Sequence, residues 1–230
     1  MNMFSKYLAA ALLTLTGAAI AMPANAIPTL RLTQGANIVT VADNSINDSS
    51  ALPGVVSFAG PVGSFPVTFS TGLTKPTLGS AAHPSIDLLS VQVSSPFSNA
   101  VIEIAFSDTD FSSPGPTISL PSLIGGTTTG SIRYQTFASL SNTLFSTDIL
   151  ISDSGVMGPG AFSFSDYAII ALQGDYSLTT IVTVTHGASS VNSSFNATVE
   201  ISEPALISLT TLSGLLFIAG ISARRRQRRR

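Results

Sequence analysis

Phe195-Asn196-Ala197-Thr198-Val199-Glu200-Ile201 places an apolar residue at every second position and a polar one between. A β-strand turns successive side chains to opposite faces. This stretch therefore reads as a half-buried strand, with Phe195, Ala197, Val199 and Ile201 inward and Asn196, Thr198 and Glu200 outward. The same period runs through Val101-Ile102-Glu103-Ile104-Ala105-Phe106, where Ile102, Ile104 and Phe106 share a face. It recurs from Ser177 to His186, with Leu178, Thr180, Val182 and Val184 on one side and Ile181 on the other.

Outward from these, Gly, Pro, Asn and Asp punctuate the chain at short intervals. Runs of strand character lie near 29–33, 37–42, 54–59, 65–69, 86–94, 100–107, 130–138, 145–151, 161–165, 177–186 and 195–201. No helical stripe interrupts them. Ser112-Ser113-Pro114-Gly115-Pro116 reads as a rigid turn, and Gly125 to Gly130 as a flexible polar loop. Many short strands joined by tight turns predict an all-β domain over 27–201, an antiparallel β-sandwich of jelly-roll-like form.

Of the 230 residues, roughly 175 remain between the two ends, enough to bury a core without disulfides. There is no cysteine, which excludes thiol catalysis, thiolate metal sites and redox chemistry. Between Ile27 and Glu203 stand three basic residues, Arg31, Lys75 and Arg133, against all twelve acids, a net charge near −9. Such a domain repels phosphate backbones, so nucleic acid is not an expected partner.

The ends carry addresses. Residues 1–26 combine Lys6, an apolar run from Tyr7 to Met22, and Ala24-Asn25-Ala26. This is the charge, apolar stretch and small-x-small site that a signal peptidase cuts, here after Ala26. At the other end, Ala205 to Ala223 is a 19-residue uncharged stretch. As a helix it would reach about 28 Å, close to one hydrocarbon core. Arg224, Arg225, Arg226, Arg228, Arg229 and Arg230 follow it. A cluster of this kind stays cytoplasmic, which leaves the central domain outside. The expected organisation is a signal helix, an ectodomain and one C-terminal transmembrane helix.

Ser202-Glu203-Pro204-Ala205, the apolar span and the arginine cluster together resemble a PEP-CTERM sorting signal over 202–230. Glu203 and Pro204 match that family's Pro-Glu-Pro motif, and Ser202 stands where its first proline usually does. The resemblance implies an exosortase-like membrane enzyme as processing partner. It also implies a setting of extracellular polysaccharide and biofilm matrix. Phe106 to Phe111, Asn142 to Phe145 and Gly174 to Leu178 are similar to segments of an uncharacterised β-rich ectodomain that recurs in the family.

Candidate chemistry between the ends is sparse. The two histidines, His83 and His186, are far apart in sequence, and no Gly-x-Ser-x-Gly elbow is present. No catalytic residue and no cofactor is assigned. Asp108 and Asp110 flank Thr109 at a strand end and are the candidate Ca²⁺ ligands, with Asp153, Asp166 and Asp175 in other turns. The competing reading is that Asp simply serves turns. Glu103 and Glu200 are expected to face solvent. Tyr134, Tyr167 and Tyr176 are the only aromatic platforms of their kind past the signal, since Trp is absent. The leading expectation is an exported, non-enzymatic surface or matrix protein with a structural or adhesive role. The alternatives are a polysaccharide-binding module, with or without Ca²⁺, and a secreted hydrolase. Expected partners are signal peptidase, the exosortase-like enzyme, the membrane and exopolysaccharide. The expected location is the inner membrane first, then the envelope or medium.

Overall fold

Period-two patterning commits each strand to one buried face, and two such faces closed on each other make the core. The computed structural model describes residues 26–95, 100–113, 115–187 and 191–201. Among these residues there are twelve strands. They are β1 (Thr29–Gln34), β2 (Asn37–Ala42), β3 (Val55–Val62), β4 (Phe65–Leu73), β5 (Ser85–Ser95), β6 (Ala100–Ser112), β7 (Ile118–Thr128), β8 (Ser131–Ser139), β9 (Ile149–Met157), β10 (Gly160–Ile170), β11 (Asp175–His186) and β12 (Val191–Glu200). Sheet one runs β2-β1-β6-β11-β8-β9 and sheet two β10-β7-β12-β5-β4-β3. Every pairing within them is antiparallel. The all-β expectation and the two-sheet architecture hold.

The alternation read from the sequence sets the core. Ile102, Ile104 and Phe106 are fully buried, as are Val182 and Val184, with Phe195, Ala197 and Val199 facing them from sheet two. Leu30, Leu32, Phe65, Phe111, Tyr134 and Tyr176 complete one continuous cluster. Among the described residues the core lies wholly between Leu30 and Val199, so the domain carries its own interior. Gly72 of β4 lies against the Phe106 ring, where an added Cβ would sit 2.5 Å from it. Only a glycine lets that strand pass over so large a side chain.

Two sequence expectations are corrected. Gly125 to Thr128 is not loop but the end of β7, and β7 as a whole was not foreseen. Pro121 and the adjacent glycines mask it, because proline removes a ladder donor and glycine weakens a strand. Here Pro121 lies just past Ser122, the last β7 residue paired with β12, so its missing N–H interrupts no bond on that side. The stretch near 145–151 is likewise mostly connection, since β9 begins at Ile149.

That connection, residues 140–148, roofs the outer face of sheet one. Ala105, Phe137 and Ile181 form a small second cluster there, with Phe145 packed on it. The roof is pinned by Phe145 N–H donating to Ser107 Oγ at 3.0 Å and Ser177 Oγ donating to the Thr143 carbonyl at 2.9 Å. The Arg31 guanidinium lies 4.1 Å from the Phe145 ring centroid. Ile181 is thus covered although it faces away from the main core. Sheet two differs, for Gln92, Asn192, Ser194, Asn196 and Glu200 on its outer face are exposed.

The predicted signal helix, save Ala26, and the predicted span at 205–223 lie outside the described residues. Among the described residues no helix is long and apolar enough to cross a membrane.

Candidate functional site

Alternation along β12 sends Ser193, Phe195, Ala197 and Val199 inward. It therefore sends Asn192, Ser194, Asn196, Thr198 and Glu200 outward. β5 contributes Asp87, Leu89, Gln92 and Ser94 from one side, across a bulge between Leu88 and Val91. Ser90 sits in that bulge with φ at 53°, and its N–H donates to Asn196 Oδ1 at 2.6 Å. On the other side β7 supplies Leu123 and Gly125. Asn196 stands opposite Gly125, and the absence of a side chain there leaves space.

Two hollows follow one another along this row. The first, about 370 Å³, is lined by Asp87, Leu123, Gly125, Asn196, Thr198 and Glu200 among others. The second, about 360 Å³, is lined by Thr68, Gln92, Ser94, Asn192 and Ser194 with their neighbours. Amides, hydroxyls and two carboxylates line these hollows beside the apolar Leu89, Leu123 and Ala197. Asp87 accepts a hydrogen bond from the Thr198 hydroxyl. Burial raises its carboxyl above the ordinary value; the Thr198 bond opposes this, and the charge of Glu200 adds to it. Beneath them Tyr134 donates its hydroxyl to the Thr198 carbonyl at 2.9 Å. Its own pKa is driven well above normal, first by burial and then by Asp87.

Of the three tyrosines past residue 26, Tyr134 and Tyr176 are fully buried, which removes them as platforms. Tyr167 is 66 % exposed on β10, opposite Pro121 of β7 and two positions from the residue paired with Leu123. It lies on the same outer face, on the strand next to the one that supplies Leu123 to the first hollow.

A larger cleft of about 530 Å³ lies elsewhere, lined by Pro28, Asp43, Asn44, Pro53, Lys75 and Pro76 among others. Its one cation is already committed. Lys75 Nζ donates to Asp108 Oδ2 at 2.7 Å and to the Thr109 carbonyl, and it lies 4.0 Å from the centroid of the Phe111 ring. With proline walls and no other charge than Asp43, this cleft offers less chemistry than the sheet-two face.

The remaining sequence candidates disperse. Asp108 is fully buried, and besides Lys75 it accepts from Thr74 Oγ1 at 3.0 Å. Asp110 instead exchanges bonds with Asn142, at 2.9 Å from its N–H and 2.6 Å to its carboxylate. The two carboxylates thus serve different partners. Among the described residues no group of three or more His, Cys, Asp or Glu is placed to hold a metal ion. Asp153 pairs with Arg133, and Asp166 accepts from Ser152 Oγ at 3.3 Å. His83 is exposed. His186 is buried, with Nε2 2.9 Å from Ser193 Oγ and no partner on Nδ1. Burial lowers its pKa, and without an orienting carboxylate the pair lacks the third member of a triad. Glu200 is exposed as expected. Glu103 is partly so, with its carboxylate 4.0 Å from Arg31. Ala24, Ser202, Glu203, Pro204 and the arginine cluster lie outside the described residues.

No family model and no curated protein matches the chain. Among solved structures it is similar to the enzymatically active domain of bacteriophage CBA120 tailspike protein 4. That match has 13 % identity over 70 % of this chain and a TM-score of 0.32. The chain spans 21 % of that domain's length. It is also similar to TmCBM27, a carbohydrate-binding module described for specific mannan recognition. Identity there is 14 %, over 64 % of this chain and 94 % of that one, with a TM-score of 0.29. Likeness at these values carries no argument about ligand or reaction.

Asp87 was missed in the sequence, although Ile86-Asp87-Leu88 shows the same alternation that turned Glu200 outward. Its partner Thr198 is 111 residues away, and nothing local signals that β5 and β12 are neighbours.

Proposed function

We propose that residues 27–201 are a non-enzymatic glycan-binding module of an exported envelope or matrix protein, with the glycan lying along β12 on sheet two. The observation that carries this reading is the pair of consecutive hollows on that outer face, which mix amides, hydroxyls and carboxylates with apolar surface. From Asn192 to Glu200 the row extends about 27 Å at the usual rise per residue, room for an oligosaccharide rather than a single sugar. A glycan offers dense hydroxyls and small apolar ring faces. The amides of Gln92, Asn192 and Asn196 and the hydroxyls of Ser194 and Thr198 suit the first, and Leu123 and Tyr167 the second. The order of β5 to β12, which alternate between 5-12-7-10 in sheet two and 6-11-8-9 in sheet one, supports reading the sandwich as a jelly roll.

Titration of the domain with neutral polysaccharides tests the binding. Wild-type protein is expected to bind at least one. Gln92→Ala/Asn192→Ala and Tyr167→Ala are each expected to weaken binding about tenfold, roughly 1.4 kcal/mol, without changing the melting temperature. Chelator is expected to leave affinity unchanged, because Asp108 is held by Lys75 and Asp110 by Asn142. No binding to any glycan, or variants equal to wild type, overturns the proposal. One observation favours a second reading, hydrolysis. Asp87 and Glu200 share a hollow, and the Asp87 carboxyl is raised. Release of reducing ends, abolished by Asp87→Asn, would replace binding with catalysis.

The ends extend the proposal. Signal peptidase removes residues 1–26, and the helix at 205–223 holds the ectodomain outside the membrane. An exosortase-like enzyme then acts at Ser202-Glu203-Pro204. The mass of the mature protein in its host checks this. A species running from Ile27 to near Glu203 or Pro204, in the envelope or medium, is expected. A species that keeps Arg230 in the inner membrane overturns the processing step.

A further inference from the structure

The two sheets have four edge strands, and three of them are blunted. β2 is only six residues long. β3 carries Pro61 and a register shift between Phe58 and Gly60. β9 shifts register twice against β8 and bears Asp153 in its ion pair with Arg133. These are the usual devices that stop a free edge from recruiting another strand. β10 has no proline and no register shift, and its inward-row Asp166 is bonded to Ser152 Oγ of β9. It is eleven residues long, and its register with β7 is unbroken from Gly160 to Ile170. It contains no basic residue, and Asp166 is its one charge. Its far side pairs with no described strand.

We infer that β10 is an interface for a second copy of this chain, joined edge to edge in antiparallel fashion so that two sheets of type two become one. The side-chain order argues for self-pairing. With a two-fold axis at Ser165, Tyr167 faces Ser163 of the second copy and Ile169 faces Ala161. Each large exposed residue, at 66 % and 68 %, then meets a small one. The same register sets Asp166 opposite Phe164 and keeps the two Asp166 carboxylates off the axis. The domain is strongly acidic, so two copies repel at long range, and β10 brings one charge from each copy, Asp166, to the contact. The joined sheet would present both glycan faces on one side, although the interface does not depend on glycan binding.

The absence of native cysteine makes a clean test. Cysteine pairs directly opposite across antiparallel strands lie within disulfide reach. The full chain carrying Ser165→Cys, recovered from its host and mildly oxidised at micromolar concentration, is expected to form a disulfide-linked dimer. The yield should be at least about tenfold that of Ile38→Cys on the β2 edge, because pairing raises the effective concentration of the thiols. Adding Ala161→Lys/Ile169→Lys sets like charges opposite one another. It is expected to reduce the yield to the Ile38→Cys level with an unchanged melting temperature. Equal yields for Ser165→Cys and Ile38→Cys overturn the inference. So does a cross-linked product whose mass shows a different protein, or a yield that the lysines leave intact.

Discussion

Lys75→Met is expected to lower the stability of the ectodomain by about 3–5 kcal/mol at pH 7, the usual cost of leaving one half of a buried ion pair without its partner. In a domain of this size that is a fall of roughly 10 °C in melting temperature. Asp108 is fully buried and makes its closest charged contact with Lys75, at 2.7 Å. Burial raises the Asp108 carboxyl above its ordinary value even with Lys75 beside it, followed in size by the opposing charge and hydrogen bond of Lys75. Met fills the space over the Phe111 ring but supplies neither. The carboxyl of the variant then rises further, and the sign of the pH dependence follows. A raised acid takes up a proton in the folded state before the unfolded chain does. The penalty is therefore full at neutral pH and shrinks as pH falls through the folded-state pKa towards the ordinary value near 3.9. Denaturant midpoints at pH 7 and pH 5 check both statements. Lys75→Met/Asp108→Leu is expected to recover most of the loss, because it removes the stranded charge along with its partner. If Lys75→Met alone melts like wild type, Asp108 is not held by this lysine.

The same site shows what a sequence reveals and what it withholds. Period-two alternation names the inward face of a strand, and at Ile102, Ile104, Phe106 and Phe195 to Val199 that reading matches the core. It works because burial on one face is a local demand, visible in neighbouring residues. Pairing is not local. Lys75 reaches Asp108 across 33 positions, and Asp87 reaches Thr198 across 111. Asp108 lies on the inward row of β6, yet the sequence alone offers it only as a Ca²⁺ ligand at a strand end or as a turn residue, since aspartate at a buried strand position is explained only by a cation that comes from elsewhere. The row of polar residues on β12 was legible as outward. That it becomes a hollow depends on Gly125 and on the Ser90 bulge, which are features of the neighbouring strands. The connection at 140–148 was invisible for a related reason. Phe145 and Asn142 roof sheet one through contacts with Ser107, Asp110 and Arg31, none of them nearby in the chain.

Gly125 and Gly126 look alike in the sequence and suggest a loop, yet the structure gives them opposite roles, and substitution should separate them. An added Cβ at Gly126 would sit 2.2 Å from the Ser194 carbonyl oxygen and 2.8 Å from Phe195 Cα. Both are backbone atoms of β12 that cannot swing away, so β7 and β12 must part at the centre of sheet two. Gly126→Ala is expected to cost about 3 kcal/mol, at the upper end of overpacking penalties, and to weaken glycan binding because the floor of both hollows shifts. At Gly125 the nearest atom to an added Cβ is the Phe162 carbonyl oxygen at 3.8 Å, an ordinary contact. Gly125→Ala should instead gain roughly 0.5–1 kcal/mol, because alanine gives up less backbone freedom on folding. It should still reduce affinity for glycan, since the methyl enters the first hollow opposite Asn196. Thermal melts and glycan titrations on the two variants give four readings. A stable Gly126→Ala would mean that β7 and β12 are not packed as closely as this. A Gly125→Ala that binds glycan like wild type would mean that the sugar does not occupy the hollow beside Asn196.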